Sequence, residues 1–492
     1  MNLNHLLSDF INIKEQNIFI KNMCMNSKKI LNNCLFIALK GHVIDGQNYI
    51  NDAIINGAVA VLTYNTDRYN NYITYINLIP IIHIKNLQYH LSSIASKLYQ
   101  CQKTTNIPII GVTGTNGKTS VTNILMQWLC LLKQNPTICS TIGNGFYNSL
   151  NYTNNTTDSA IDIQYNINKF IQQKSNIIIL EISSHGIKQH RVRNINFTTA
   201  IFTNLSRDHL DYHKNMQDYA NTKWYFITQY GIKDVIINID SDIGLQWSKQ
   251  LPNAILVTTK PNLLNKQKKY FLVKDINYKI DKTIITFETT WGSGKISTHL
   301  LGYFNVINII LSFTTLLSLN YSLKDLLYTS YKLKPVYGRF NIIQKNNHPK
   351  IIIDYAHTPD ALKNILQTIK FYYKSTIWCI FGCGGERDQG KRSLMGIIAS
   401  SLANYIIITS DNPRNENIND IVQDIIKKCS FKKKHISIII DRKEAIQYAL
   451  IKAQKQDVIL IAGKGHEQYQ IIGHKYYVYS DYDIVNNYYK QK

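Results

Sequence analysis

The sequence has no uninterrupted run of about 18 apolar residues, the length that a membrane-spanning helix requires. The closest segment, Val306–Leu319, is interrupted by Asn308 and by serines and threonines. A secretory signal is also missing, because the N-terminus carries Asp9 early and lacks the order of basic and then apolar residues. We therefore expect a cytoplasmic protein that does not engage a membrane.

Two further patterns are missing. The 8 cysteines are scattered without the paired spacing of a zinc site or a disulfide framework, which is typical of reduced thiols in a cytosol. The formal net charge of +23 is not concentrated in basic clusters, since the longest local runs are short ones such as Lys266–Lys269 and Lys432–Lys434. We interpret the lysines as solvated surface charge that suits anionic substrates, and we expect no nucleic-acid partner.

Short apolar, β-branched segments alternate with helix-length segments along most of the 492 residues. Such strands, bounded by Gly, Asp or Asn, indicate parallel sheets covered by helices on both faces, so the predicted fold is α/β. The length favours several domains, and we predict three, with bounds at 1–87, 88–335 and 336–492. Examples of these predicted strands are Ile109–Val112, Ile177–Leu180, Ala200–Thr203, Val235–Ile239, Ile351–Ile353, Ile377–Phe381, Tyr405–Thr409 and Val458–Ala462. Boundary cues are the polar stretch Gln100–Asn106 and the segment Lys332–Tyr337.

A glycine-rich loop follows the first strong strand. After Ile109–Gly111 comes Val112-Thr-Gly-Thr-Asn-Gly-Lys-Thr-Ser120, and then an apolar helical stripe. Strand, glycine loop, Lys-Thr and helix is the order of a phosphate-binding loop, in which Lys118 reaches the β and γ oxygens and Thr119 ligates Mg²⁺. One position departs from the general pattern, because Val112 stands where a glycine is usual.

A carboxylate ends the next predicted strand. Glu181 directly follows Ile177–Leu180, where a metal-associated carboxylate is expected in folds of this kind. The alternative, a surface glutamate without function, stays open on this observation alone.

Five segments together resemble the Mur ligases. Thr113-Gly-Thr-Asn-Gly-Lys-Thr119 resembles their ATP loop, including the shifted glycine spacing. The other four resemble the members that add the third residue of the peptide, and the match runs from about Ser27 to Ser480. These four are Glu181-Ile-Ser-Ser-His-Gly186, Asn204-Leu-Ser-Arg-Asp-His-Leu-Asp-Tyr-His213, Asp354-Tyr-Ala-His-Thr-Pro359 and Asp411-Asn-Pro-Arg414.

The resemblance implies an ATP-dependent ligase of peptidoglycan precursor synthesis. ATP would phosphorylate the D-glutamate of UDP-N-acetylmuramoyl-L-alanyl-D-glutamate, and the amine of meso-2,6-diaminopimelate would attack the acyl phosphate. It also implies Mg²⁺, a monomer, a smaller N-terminal α/β domain for the UDP-sugar, a central P-loop ATPase with a mostly parallel sheet, and a C-terminal Rossmann-like α/β domain for the amino acid.

The resemblance assigns the nucleotide and metal residues as follows. Implied ATP contacts are Gly114, Thr115, Asn116, Gly117, Lys118, Thr119, Ser120, Asn305, Asn308, Arg339, Asp354 and His357. Implied metal ligands are Thr119, Glu181, His209 and Lys223, the last as a carbamate formed with CO₂. The implied catalytic residues are Lys118, Glu181, His209 and Lys223. A hydrogen-bonded loop histidine stays the alternative for His209, and from the residues alone Lys223 is more often a plain surface lysine.

The UDP-muramoyl dipeptide positions come from the same resemblance. They are Met25, Ser27, His42, Val43, Ile44, Asn155, Thr156, Thr157, Ser183, Gln189 and Arg191. Val43 and Ile44 match in position and not in residue type, so contacts there are expected through the backbone.

Selection of diaminopimelate needs a cation for its distal carboxylate and an acceptor for its distal ammonium. Arg414 and Arg387 supply guanidinium groups, which can bind a carboxylate bidentately, and Glu467 can accept from the ammonium. The implied set is Arg387, Asp411, Asn412, Pro413, Arg414, Gly463 and Glu467. Gly382–Glu386 resembles a dinucleotide fingerprint only weakly, because Arg387 stands at its sixth position.

Two other functions compete with this one. A P-loop ATPase acting on nucleic acid fits the positive charge, but it requires a basic cluster interleaved with aromatics, and none is evident. A folylpolyglutamate-type ligase shares the ATP loop, but the dipeptide motifs and Asp411–Arg414 argue against it.

Overall fold

The computed structural model describes residues 1–13, 17–41, 44–66, 70–99, 107–153, 155–265, 267–429 and 435–491. The chain divides into two compact units, which we describe separately. Unit 1 comprises Met1–Gly111, Gln134–Thr199 and Tyr225–Lys233, and unit 2 comprises Val112–Lys133, Ala200–Trp224 and Asp234–Lys492.

Strands and helices alternate along most of the described chain. The strands are β1 (Asn22–Cys24), β2 (Cys34–Ala38), β3 (Ala58–Tyr64), β4 (Tyr72–Ile76), β5 (Ile79–Ile84), β6 (Ile109–Thr113), β7 (Pro136–Ser140), β8 (Gly143–Phe146), β9 (Ser149–Asn151), β10 (Ile177–Glu181), β11 (Thr199–Phe202), β12 (Asp234–Asn238), β13 (Ala254–Thr258), β14 (Tyr270–Tyr278), β15 (Thr283–Thr289), β16 (Gly292–Thr298), β17 (Asn341–Ile343), β18 (Lys350–Asp354), β19 (Ile377–Phe381), β20 (Tyr405–Ile408), β21 (His435–Ile438), β22 (Val458–Ala462), β23 (Tyr469–Ile472) and β24 (Lys475–Val478). The helices are α1 (Leu3–Leu7), α2 (Ile50–Ile55), α3 (Leu87–Tyr99), α4 (Lys118–Leu131), α5 (Ala160–Gln172), α6 (Ser184–Lys188), α7 (Met216–Gln229), α8 (Asp242–Ser248), α9 (Tyr303–Ser318), α10 (Leu323–Thr329), α11 (Pro359–Tyr372), α12 (Gly390–Leu402), α13 (Ile418–Ile426), α14 (Arg442–Lys452) and α15 (Asp481–Gln491).

Unit 1 contains a five-stranded sheet of order β1-β2-β3-β5-β4. It is parallel except for the edge strand β4, which pairs antiparallel with β5. Strand β2 is buried at every residue, as expected for a strand covered on both faces. The hydrophobic core of this sheet also includes Leu91 and Ile94 of α3 and Ile161 of α5. The same unit pairs β7 with β10 in parallel and extends β7 by the antiparallel strands β8 and β9.

The last part of unit 2 is a six-stranded sheet of order β17-β18-β22-β19-β20-β21. All pairings are parallel except that of β17 with β18. Strands β19 and β22 are buried throughout. One face packs against α11, α12 and α13, and the other against α14 and α15. Ligands of such sheets bind beyond the carboxyl ends of the strands, which here lead into Tyr355, Gly382, Thr409 and Gly463.

The rest of unit 2 combines parallel and antiparallel strands. β12, β13 and β14 are parallel, and β14, β15 and β16 form an antiparallel meander. Burial alternates along β15, which indicates that one face of the meander meets the core and the other meets solvent. Helix α9, which contains the apolar segment noted above, is buried along most of its length. None of the described helices has the length and apolar character that crossing a membrane requires.

The predicted α/β class is confirmed, and each of the eight predicted strands is present within one residue of its predicted ends. The meander β14–β16 and the hairpin β23–β24 were not predicted. Their antiparallel strands alternate or are largely exposed, so they lack the continuous apolar runs on which the prediction depended. Gln100–Asn106, one of the predicted boundary cues, lies outside the described residues.

Candidate functional site

The phosphate loop occupies residues 114–117, between the end of β6 and the start of α4. Gly114 and Gly117 have φ values of +146° and +87°, a region that disfavours other residues. A Cβ atom on Gly114 would lie 1.9 Å from the Thr203 hydroxyl oxygen, and one on Gly117 would lie 2.6 Å from Oδ1 of Asn308. The shifted glycine spacing therefore has a steric cause, because both positions meet polar side chains at close range.

Residues 203–206 hold this loop through a dense set of hydrogen bonds. The Thr115 amide donates to the Asn204 carbonyl at 2.9 Å, and the Asn116 amide donates to Oδ1 of Asn204 at 3.0 Å. The Thr203 hydroxyl donates to the Asn116 carbonyl at 2.6 Å, and the Ser206 amide donates to the Thr115 hydroxyl at 3.0 Å. The loop is thus pre-shaped, and α4 presents its N-terminus beside it, where the helix dipole favours an anion.

Two lysines bind one carbonyl of the loop. Nζ of Lys118 donates to the Gly114 carbonyl at 3.1 Å and to the Thr115 carbonyl at 2.8 Å. Nζ of Lys223, from α7, donates to the same Gly114 carbonyl at 2.9 Å, and its side chain is almost completely buried. Burial and the neighbouring Lys118 cation hold the pKa of Lys223 well below its usual value, against a smaller opposing effect of Asp208. The arrangement favours a neutral amine at position 223.

A buried carboxylate gathers three basic side chains beside this loop. Asp208 pairs with Lys391 at 3.2 Å, with Nε2 of His209 at 3.5 Å and with Nε2 of His357 at 3.6 Å. Burial alone would raise the pKa of Asp208, but Lys391, His209 and His357 hold it well below its usual range. Asp208 and Lys391 were not predicted. Asp208 stands within the motif that contains His209, but sequence carries no sign that it pairs with a lysine 183 residues away.

A cavity of about 340 Å³ adjoins the loop. Its lining includes seven of the predicted ATP residues: Asn116, Gly117, Ser120, Asn308, Arg339, Asp354 and His357. Asn305 lies behind Asn308, where its amide donates to the Leu301 carbonyl at 2.8 Å. The lining also includes residues that were not predicted, among them Asp240, Lys260, Tyr303 and Asn364.

Arg339 and Asp354 reach the cavity from the C-terminal part of unit 2. Nη2 of Arg339 donates to the Thr119 hydroxyl at 3.0 Å, and its guanidinium lies 4.3 Å from the centre of the Tyr355 ring. Asp354 accepts from the backbone amides of Phe340 at 2.7 Å and Ala356 at 2.6 Å, and burial raises its pKa. The cavity therefore has cationic and amide groups of the kind that bind phosphates, together with apolar walls.

The Asp411–Arg414 segment follows β20, as predicted. Arg414 has a left-handed backbone, with φ at +53°, and its Nη1 donates to the Gly385 carbonyl at 2.8 Å. Burial and the neighbouring Arg387 lower the pKa of Arg414, as two cations placed close together should. Arg387 is half exposed and contacts Asp211 at 3.5 Å. The structure thus brings the two predicted guanidinium groups together.

Glu467 is engaged by two neighbours. Its Oε2 accepts from Nδ2 of Asn412 and from Nζ of Lys464, each at 3.0 Å. Gly463, which directly follows β22, has φ at +115°, and a Cβ there would lie 2.5 Å from Oδ2 of Asp411. Lys464 was not predicted as a site residue, although it stands in the same Gly-Lys-Gly-His-Glu segment as Glu467.

Unit 1 contains the predicted carboxylate and several of the predicted dipeptide residues. Oε2 of the buried Glu181 accepts from the backbone amide and the hydroxyl of Thr141, each at 3.0 Å. Thr157 donates to the Glu181 carbonyl at 2.7 Å and accepts from the Ser183 amide at 2.9 Å. Arg191 donates to the Thr157 carbonyl and to the Gln189 side chain. Thr156 joins this group by accepting from the Thr141 hydroxyl at 3.2 Å.

The other predicted dipeptide residues differ in their surroundings. Met25 and Ile44 are exposed, Ser27 is buried, and the Asn155 amide donates to the Thr153 hydroxyl at 3.2 Å. His42 and Val43 lie outside the described residues. The predicted UDP strip is therefore only partly defined by the structure.

The predicted metal ligands suit Mg²⁺ in their chemistry. Thr119, Glu181 and a carbamate at Lys223 would supply oxygen donors, which Mg²⁺ prefers. Glu181 belongs to unit 1 and Thr119, His209 and Lys223 to unit 2, so the set as a whole stays a prediction. In the described part of the chain, no three His, Cys, Asp or Glu side chains form a group that could hold a metal ion.

Comparison with known proteins gives family matches over most of the chain. Residues 19–99 match the model for the Mur ligase family catalytic domain, 112–316 the Mur ligase middle domain, and 338–465 the Mur ligase glutamate ligase domain. Similar relatives are named UDP-N-acetylmuramoyl-L-alanyl-D-glutamate–2,6-diaminopimelate ligase. The one from Buchnera aphidicola is 45% identical over 98% of each chain, and the one from Haemophilus influenzae is 42% identical over 98% of this chain and 99% of its own.

Solved structures show the same architecture. A structure of UDP-N-acetylmuramoyl-L-alanyl-D-glutamate–2,6-diaminopimelate ligase superposes with a TM-score of 0.67 and 29% identity, covering 100% of this chain and 99% of its own. The MurF ligase of Thermotoga maritima in complex with ADP has a TM-score of 0.67 at 18% identity and covers 91% of this chain and 95% of its own, which shows the fold. The three-domain α/β fold is confirmed, and this chain belongs to the Mur ligase family.

Proposed function

We propose that this protein is an ATP-dependent ligase that joins meso-2,6-diaminopimelate to the D-glutamate of UDP-N-acetylmuramoyl-L-alanyl-D-glutamate in peptidoglycan precursor synthesis. The observation that carries the proposal is the presence, within unit 2, of a pre-shaped phosphate loop with its cavity and of the Asp411–Arg414 segment with its two guanidinium groups. The names of relatives at 42–45% identity support the choice of substrates.

The phosphate loop would bind ATP, which drives the reaction. A carboxylate is a poor electrophile, and transfer of the γ-phosphoryl group of ATP to it creates an acyl phosphate with a good leaving group. Lys118, Arg339 and the amides at the start of α4 would stabilise the negative charge that builds on the transferring oxygens. Attack by the amine would then release phosphate and leave the amide, with one proton lost from the nitrogen.

Lys223 would act as a carbamate. A neutral amine adds to CO₂ and loses a proton, which converts a cation into a carboxylate-like group. The lowered pKa of Lys223 increases the fraction of neutral amine at neutral pH, where an ordinary lysine with a pKa of about 10.4 is almost wholly protonated. The new negative charge would sit beside Lys118, whose ammonium binds the same carbonyl.

Mg²⁺ would offset phosphate charge, held by Thr119, Glu181, His209 and the Lys223 carbamate. Thr119 is positioned for this by its place in the first turn of α4, and its hydroxyl is already oriented by Arg339. Asp208, kept ionised by Lys391 and the two histidines, would fix the orientation of His209.

Arg414 and Arg387 would bind the distal carboxylate of diaminopimelate, and Glu467 with Asp411 would face its distal ammonium. The dipeptide would contact the Thr156–Ser183–Arg191 group of unit 1. We further propose the domain bounds 1–87 for the UDP-sugar, 88–335 for ATP and 336–492 for the amino acid, and a cytoplasmic monomer that binds neither membrane nor nucleic acid.

Phosphate release tests the proposal. The protein is mixed with ATP, Mg²⁺ and UDP-N-acetylmuramoyl-L-alanyl-D-glutamate, and diaminopimelate or lysine is added separately. We expect release with diaminopimelate and little with lysine. Release with lysine alone would overturn the specificity, and release with neither amino acid would overturn the ligase function.

A further inference from the structure

Lys464 is completely buried beside the predicted amino-acid residues. Its side chain is 0% exposed, and its Nζ donates to Oδ1 of Asn412 and to Oε2 of Glu467, each at 3.0 Å. Asn412 in turn donates to the same Oε2 at 3.0 Å. Lysine, asparagine and glutamate therefore form a closed triangle of hydrogen bonds, and two of the three corners are predicted substrate contacts.

A buried lysine is costly unless its charge is paired. Glu467 supplies the pairing carboxylate, and its side chain is 13% exposed, so the carboxylate is only partly accessible to solvent. Among the described residues, both hydrogen bonds that the Glu467 carboxylate accepts go to Oε2. The other oxygen, Oε1, is thereby left as the atom that meets an incoming donor.

The triangle also fixes the backbone around Arg414. Oδ1 of Asn412, which Lys464 binds, accepts from the Ile471 amide at 2.9 Å, and the Ile471 carbonyl accepts from the Arg414 amide at 3.1 Å. Arg414 needs such support because its φ of +53° is unfavourable for a side chain of its size. Lys464 thus lies at the junction between the carboxylate of Glu467 and the strand contact that orients Arg414.

We propose that Lys464 is a positioning residue that selects diaminopimelate, by fixing Glu467 for the distal ammonium and the Asn412–Arg414 backbone for the distal carboxylate. This inference rests on the proposed function and extends it to a residue that contacts no substrate. Lysine has only the ammonium at its distal end, so it gains from Glu467 but not from Arg414. Loss of Lys464 weakens both contacts at once, so it should raise the KM for diaminopimelate more than the KM for lysine.

Steady-state kinetics of Lys464→Met test the proposal. We expect the KM for diaminopimelate to rise at least about 10-fold, because contacts to charged groups are lost, while the KM values for ATP and the muramoyl substrate change less than about 2-fold. The preference for diaminopimelate over lysine should also fall, but by a smaller factor, because lysine loses the contact with Glu467 as well. Lys475→Met is the matched control, since Lys475 is exposed on β24 of the adjacent hairpin, and it should behave like the wild type.

A second pair of variants covers the case in which Lys464→Met does not fold. Lys464→Met/Glu467→Met leaves no unpaired charge, and its KM for diaminopimelate should exceed that of Glu467→Met by at least about 3-fold, because the Asn412–Arg414 backbone also loses its contact with Lys464. An unchanged KM for diaminopimelate in Lys464→Met, or a double variant whose KM equals that of Glu467→Met, would overturn the proposal. Wild-type protein without diaminopimelate-dependent phosphate release would instead overturn the proposed function itself.

Discussion

Lys223 and Lys464 are both buried lysines near predicted substrate groups, but their surroundings differ. Lys464 has a carboxylate and an amide oxygen at 3.0 Å. Lys223 binds a backbone carbonyl at 2.9 Å, lies 4.6 Å from the centre of the Tyr219 ring and has Lys118 as a neighbouring cation. Among the described residues, no carboxylate lies within ion-pair distance of Lys223.

The difference separates a structural charge from a reactive amine. A carboxylate partner pairs the charge of a buried lysine and so fixes the groups around it. Burial and a second cation do the opposite, because they favour the neutral amine, which is the form that reacts with CO₂. The same residue type therefore serves recognition in one region and chemistry in the other, and substitutions at four positions test this contrast.

The largest effect is expected for Lys118→Met. Lys118 is the cation that shares the Gly114 carbonyl with Lys223, and its loss removes charge stabilisation during phosphoryl transfer, so kcat should fall by about 10³-fold. ATP-dependent phosphate release measures the loss. Lys249→Met, at the exposed end of α8, is the control and should retain wild-type turnover. A kcat within 10-fold of wild type would contradict the role given to Lys118.

Lys223→Ala should lower kcat by about 10²-fold, since a carbamate would orient the metal that carries phosphate charge. Nucleotide affinity, measured by calorimetry, should change little, because the cavity residues remain in place. Short carboxylic acids should restore part of the activity by replacing the carbamate. Unaltered turnover, or a loss of nucleotide affinity that accounts for all of the effect, would refute the carbamate.

Arg414→Ala should raise the KM for diaminopimelate by about 30-fold, in keeping with the loss of a charge-assisted contact. ATP binding should be intact. Arg414→Lys keeps the charge but not the planar pair of donors, so it should recover only part of the affinity. Equal kinetics for Arg414→Ala and wild type would remove Arg414 from the amino-acid site.

The smallest effects concern stability. Lys464→Met should lower the free energy of unfolding by about 2 kcal/mol, because Glu467 loses its partner while partly buried. Lys223→Met, in CO₂-free buffer, should leave the free energy of unfolding unchanged or raise it by about 1 kcal/mol, because the substitution removes a desolvated amine.

The pH dependence of the free energy of unfolding shows in which direction the pKa of Lys223 is shifted. The pKa of Lys223 is lower in the folded protein than in the unfolded chain, so the unfolded chain binds more protons and wild-type stability rises with pH up to the unfolded pKa near 10.4. The advantage of Lys223→Met should therefore be larger at about pH 6 than at about pH 9, as measured by urea unfolding. An advantage that grows with pH would contradict the neutral amine.

The sequence was sufficient for the parts of the site that lie in one segment. The phosphate loop, its helix and the residues Lys118 and Thr119 follow from local spacing and from an apolar strand before them. The buried parallel strands were predictable for the same reason, because their burial on both faces leaves continuous apolar runs.

Contacts between distant segments were not predictable. Asp208 and Lys391 are 183 residues apart, and Asn412 and Lys464 are 52 apart. A lysine is usually solvated, so nothing in the sequence marks Lys464 or Lys391 as buried. The nucleotide contact of Asn305 stays a prediction, and the structure adds that its side-chain amide donates to the Leu301 carbonyl at 2.8 Å.

Carbon-13 NMR of the protein equilibrated with labelled CO₂ at neutral pH tests the contrast most directly. We predict one carbamate resonance that is absent in Lys223→Ala and retained in Lys464→Met, with a matching gain of the mass of one CO₂. A resonance that persists in Lys223→Ala, or no carbamate in the wild type, would contradict the view that burial beside a second cation makes Lys223 the reactive lysine.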